Sequence, residues 1–127
     1  MKRFFWRALA LSLFLTLAAC SSKSPAAQAV EDYWQAMVTQ NSDLISQLSC
    51  AEWEEQAVME VDSFQAVKAR LEGMACAESG KEGEDVLVSC QGKIVATYND
   101  EDRELALDAR QVLVRPAGGE WLVCGYR

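Results

Sequence analysis

The chain has 127 residues, half of them hydrophobic, with 12 Lys and Arg against 19 Asp and Glu, five cysteines and no histidine. One domain fits this length, and the lack of histidine excludes Ser-His-Asp and Cys-His catalysis, His-ligated zinc and a histidine pH switch. A net charge of −7 argues against nucleic acid as a partner, because binding the phosphate backbone needs clustered Lys and Arg.

Met1 to Arg7 carry three basic residues and no acid, and Ala8 to Ala19 form an uncharged apolar run of twelve. A basic segment followed by a short apolar one predicts a secretory signal, too short to span a bilayer comfortably. Leu17-Ala18-Ala19-Cys20 follows and resembles the bacterial lipobox. The resemblance implies cleavage before Cys20, a diacylglyceryl group on its sulfur and often a further acyl chain on its new amino terminus. Two or three chains anchor stably where one is marginal. Ser21, where an Asp would favour inner-membrane retention, leans toward the outer membrane of a Gram-negative cell, or otherwise the outer face of the cell membrane. Removal of residues 1–19 leaves 108 residues with nine basic and nineteen acidic side chains, a net charge of −10. Anionic lipid repels that charge, so the domain is expected to stand off the membrane. Residues 20–28, small and polar with one proline, read as the lipidated cysteine and a flexible tether.

A folded domain is expected over residues 29–127. Val30, Tyr33, Trp34, Met37 and Val38 form a helical apolar stripe, with Glu31 and Asp32 placed in its first turn. Asn41-Ser42-Asp43 predicts a break and a new N-cap. Leu44, Ile45 and Leu48 give a short helix ending near Cys50, and Trp53, Ala57 and Val58 a third. The stretch from Asp62 to Gly73 suits helix or strand. From Asp85 the pattern is alternating: Val86, Val88, Cys90, then Ile94, Ala96 and Tyr98, with Gln91-Gly92 as a bulge. Asn99 to Asp102 is a turn. Leu105, Leu107, Ala109, Gln111 and Leu113 alternate as one strand, Pro116 to Gly119 is a second turn, and Leu122, Cys124 and Tyr126 close the chain. Helices first and a β-meander after predict an α+β fold.

Cys50, Cys76, Cys90 and Cys124 are an even set in an exported domain, which predicts two disulfides. No C-x-x-C occurs, and no zinc-ribbon spacing. Pairing Tyr98 with Arg103 sets Cys90 opposite Gln111, and pairing Arg115 with Glu120 sets Gln111 opposite Cys124. Cys90 and Cys124 would then lie two strands apart, roughly 9–10 Å, beyond disulfide reach. The expected pairs are therefore Cys76–Cys90 and Cys50–Cys124.

Three features resemble the NTF2-like (cystatin-like α+β) superfamily: the helix Ala29 to Met37 followed at once by Asn41 to Ile45, the long strand with Gly92 to Tyr98, and Gly119-Glu120-Trp121 before a final strand. The resemblance implies a cone of helices packed on a curved antiparallel sheet, its open end often a pocket. Its members include isomerases, dehydratases, small-ligand binders and catalytically silent domains, so fold does not choose function. The enzymes among them use Asp with Tyr or His, and no acid here aligns with their catalytic positions.

Tyr33, Trp34, Tyr98 and Tyr126 are pocket candidates, with core packing as the plainer role. Gln111 stands out as a polar residue on an apolar face. Asp62 beside Phe64 is the weak candidate for a general base; the simpler reading is a helix N-terminal acid. Glu52, Glu54, Glu55 and Glu60 read as a solvated acidic face. No metal site and no cofactor are expected. The leading expectation is a non-enzymatic, lipid-anchored extracytoplasmic domain that binds a small molecule or an envelope protein. A small lyase or isomerase working in the cone is the second reading, and a structural or interaction module of the envelope the third.

Overall fold

A computed structural model describes residues 22–127, so the signal segment, the lipobox and Cys20 lie outside the described residues. Three helices precede five strands: α1 (Pro25–Val38), α2 (Ser42–Gln47), α3 (Ala51–Ser63), β1 (Lys68–Glu82), β2 (Asp85–Tyr98), β3 (Glu101–Ala106), β4 (Gln111–Ala117) and β5 (Glu120–Tyr126). A 3₁₀ turn, Leu107–Ala109, joins β3 to β4. The helices pack on one face of a curved antiparallel sheet, the α+β arrangement expected.

The first helix starts four residues before the expected domain boundary. Pro25 occupies its first turn, where a missing N–H costs nothing, and the Ser24 hydroxyl accepts from the Ala27 amide at 3.1 Å. Ala26 and Ala27 are fully buried. Residues 25–28 are thus helix rather than tether: small alanines let the helix approach the sheet closely, which their lack of bulk had hidden. Glu31 accordingly lies in the second turn, not the first. It is buried, pairs with Lys23, and accepts from the Cys76 amide at 3.0 Å, tying α1 to β1.

Asn41 caps α2 as expected, accepting from the Leu44 amide at 3.1 Å. The ambiguous stretch resolves as the end of α3, a turn, and β1 from Lys68. The Gln40 side chain donates to the Phe64 and Val67 carbonyls at 2.6 and 3.1 Å and so fixes where α3 stops.

The strand order is β1-β2-β4-β5, with β3 also on β2. β3 pairs with residues 93–98 of β2 and β4 with residues 86–89, both on the edge away from β1. They are one strand direction broken by the 3₁₀ turn. Between the pairs Lys93–Ala106 and Ser89–Gln111, β2 advances four residues and the other chain five. One extra residue inverts which side chains face the core. Leu105 faces the helices opposite Ile94, but beyond the break Val112 and Val114 do so opposite Val88 and Val86.

This corrects the expected register. Tyr98 pairs with Glu101, and Gln111 lies opposite Ser89 rather than Cys90. A second irregularity at Cys124 sets Val123 opposite Val114 and Tyr126 opposite Val112. The expected Gln91-Gly92 bulge is instead on β1, between Glu72 and Ala75, facing Gly92. Both disulfides nevertheless connect as expected. Cys76 and Cys90 are a cross-strand pair, and Cys50 joins Cys124 with 5.0 Å between their Cα atoms. Beside that link, Leu48 to Cys50 run parallel to β5, with the Cys50 amide on the Val123 carbonyl and the Val123 amide on the Leu48 carbonyl, both at 2.8 Å.

The core comprises Val30, Tyr33, Trp34 and Met37 of α1, Ile45, Ala57 and Val61 of α2 and α3, and the inward residues of β2, β4 and β5. The outer face is different. Val95 is buried there between its cross-strand partners Arg70 and Glu104, within a charge network. In it Lys93 bonds Glu104 at 2.5 Å, and Arg70 bonds Glu72 at 3.0 Å and Asp102 at 3.6 Å. No helix among the described residues is long and apolar enough to cross a membrane.

Candidate functional site

The break between β3 and β4 leaves space between the sheet and the end of α3. A cleft of about 420 Å³ opens there. Its apolar walls are Trp34, Phe64, Ile94, Leu105 and Leu107, and its polar groups include Glu60 and Arg110. Leu105, at the mouth, is 50% exposed, a large apolar side chain that the fold leaves uncovered.

Behind the cleft the aromatic residues interlock. Trp34 stacks parallel to Tyr126 with ring centres 5.9 Å apart, and Trp53 meets Tyr126 edge-on at 5.1 Å. The Arg110 guanidinium lies over the Tyr126 ring at 4.8 Å. The Tyr126 hydroxyl donates to Glu60 Oε2 at 2.7 Å, and Trp53 Nε1 donates to the Tyr33 hydroxyl at 3.2 Å. Burial, reinforced by Tyr33 and Glu60, holds the Tyr126 phenol far above its ordinary pKa. Burial raises Tyr33 too, against hydrogen bonds from Trp53 and Tyr126. Both phenols therefore stay protonated at neutral pH.

Trp34 is 8% exposed, and its indole Nε1–H is buried with no acceptor among the described residues. An unmade hydrogen bond of this kind costs about 1–3 kcal/mol. Arg110 forms no salt bridge among the described residues, unlike Arg70, Arg115 and Arg127.

Of the expected pocket residues, Trp34 lines the cleft, and Tyr33 and Tyr126 form its backing. Tyr98 lies at the end of β2, 52% exposed and away from it. Gln111 faces outward, because the extra residue before β4 inverts the face it presents. Its amide donates to Ser79 at 3.0 Å and Ser89 at 3.4 Å, so its polarity is satisfied on the outer side. Asp62 is in the last turn of α3, not an N-terminal one, and accepts from Gln65 at 2.9 Å on the surface. Glu60, read from the sequence as part of a solvated face, turns inward to Tyr126. Arg110 carried no sequence signal, since its position depends on the 3₁₀ turn. Cys50, Glu52 and Cys124 come close together, but both sulfurs are in the disulfide.

No family model and no curated protein matches the chain. Among solved structures, the solution structure of a SEC-C motif containing protein from Rhodopseudomonas palustris is similar, with a TM-score of 0.53 and 12% identity. The likeness covers 83% of this chain and 80% of that one. It is a likeness of fold, and no functional residue carries across it.

Proposed function

We propose that this protein is a lipid-anchored, extracytoplasmic domain of the NTF2-like type that binds a small molecule in the cleft beside Trp34. Cys20 carries the diacylglyceryl anchor, and the protein faces the periplasm from the outer membrane of a Gram-negative cell, or the exterior of a cell with one membrane. Two disulfides in a chain of this size suit an oxidising compartment. The helices-then-sheet order and the opening at the end of α3 fit an NTF2-like cone.

The observation that carries the binding reading is the buried Trp34 donor with no acceptor, at a cleft with apolar walls. A cleft of this size suits a small organic ligand. Such a ligand packs on Leu105, Leu107 and Phe64 and supplies an oxygen acceptor. The test is native mass spectrometry of the exported chain, followed by titration with a naphthalene-sulfonate dye. A co-purified small molecule or a one-to-one dye complex is expected. Leu105→Glu, an exposed change at the mouth, should weaken the dye at least about tenfold, the value of 1.4 kcal/mol. Equal dye binding by both proteins would sink the proposal.

A second reading, a small lyase or isomerase, rests on Glu60, a carboxylate that both lines the cleft and is held by Tyr126. In that reading Glu60 is the base, in place of Asp62.

A further inference from the structure

The start of α1 lies beside a second concave patch of about 540 Å³, lined by Pro25, Leu44, Leu48, Trp121 and Leu122. These side chains belong to the start of α1, to α2 and the residue that follows it, and to the start of β5, so the patch is a composite surface. Leu44, Leu48, Trp121 and Leu122 are each half-buried. Asp32 and Glu120 lie at its border, and no basic residue does.

The chain that precedes this patch has little slack. Ser24 caps the helix and Lys23 is held by Glu31, so the path is fixed from Lys23 onward. Only Ser21 and Ser22 separate Lys23 from Cys20. Three Cα steps reach at most about 11 Å. A lipidated Cys20 sits at the headgroup boundary, and the headgroup layer is itself about 5–8 Å deep on each side. The domain therefore has no room to stand off.

We infer that the patch around Trp121 rests on the membrane surface, with the indole at headgroup depth. The inference rests on reading Cys20 as the lipid anchor. Tryptophan favours that depth because its ring is apolar and its N–H is polar. Asp32 and Glu120 are repelled by anionic lipid, so the surface that fits is zwitterionic. The cleft beside Trp34 is built by other elements, the end of α3 and the β3–β4 break, and remains accessible.

The experiment uses the full chain, processed and lipidated in a bacterial host. It is reconstituted into phosphatidylcholine vesicles whose acyl chains are brominated near the headgroup. Flotation and tryptophan fluorescence are read on the same sample. The protein is expected to float, and its fluorescence to be quenched relative to unbrominated vesicles. Trp34 is buried and Trp53 is half-buried against Tyr126, away from the patch, so Trp121→Phe should lose that quenching while still floating. A protein that floats without quenching, or whose quenching survives in Trp121→Phe, overturns the contact and leaves the anchor standing. A protein that does not float overturns the anchor and the contact with it.

Discussion

Tyr126 is the residue at which the last strand meets both helices that flank the cleft. Its ring stacks on Trp34 and its hydroxyl holds Glu60. With Tyr33 it forms a pair of phenols kept neutral by burial. An unfolded tyrosine ionises near pH 10. Above that pH the unfolded chain releases protons that the folded protein retains, so unfolding gains. The stability due to the neutral phenols is complete below about pH 10 and lost as the pH rises past it, by up to about 1.4 kcal/mol per unit for each group. Tyr126→Phe removes one of the two. Its melting temperature should fall less steeply between pH 9 and about pH 11 than that of the parent. Parallel declines would show that Tyr126 is not held neutral by the fold.

The long hairpin of β1 and β2 depends on Gly92. Its φ is +93°, and a Cβ there would sit 2.6 Å from the Glu72 carbonyl oxygen and from the backbone of Gly73. The bulge on β1 crosses its partner at that point, so no side chain fits. Gly92→Ala should cost about 3 kcal/mol, combining backbone strain and a clash with main chain that cannot swing away. Urea unfolding measures this, and a loss under about 0.5 kcal/mol, the level of an ordinary surface change, would contradict it. The helices were legible in the sequence because each carries its own apolar repeat and α2 carries its cap. The start of α1 was not, because alanines that pack closely look like linker composition. After Asn99 the presence of strand was legible, but neither its extent nor its phase: Leu105 to Leu113 read as one strand, and the chain breaks at Leu107–Ala109. One extra residue leaves no compositional mark, yet it moved Gln111 to the outer face and created the wall of the cleft. Of the aromatic candidates, Trp34 lines the cleft with Tyr33 and Tyr126 behind it, while Tyr98 lies elsewhere and Phe64, a wall of the cleft, was not singled out. Glu60 and Arg110 were not legible either, since their roles come from where the break in the strand places them.

Across the whole molecule the two disulfides do different work. Cys76–Cys90 closes a separation of 14 residues within one hairpin, and Cys50–Cys124 closes one of 74, from the α2–α3 junction to the last strand. Loop-closure entropy assigns them roughly 3 and 4.5 kcal/mol. Replacing Cys50 and Cys124 by serine should therefore lower the unfolding free energy more than replacing Cys76 and Cys90, and equilibrium denaturation of the two double variants would show the reverse order if the entropic account is wrong. The strip Leu48 to Cys50 has a further effect. It already occupies both the N–H and the carbonyl of Val123 at the middle of β5. At the opposite edge β1 is 15 residues long, six of them charged, it is broken by the bulge between Glu72 and Ala75, and its Cys76 amide is held by Glu31. A second molecule drifting alongside finds the middle of β5 already paired and, on β1, a ladder interrupted by a bulge and by charge. Two copies that meet edge to edge at β5 thus lack the free groups at its centre with which to zip into a shared sheet.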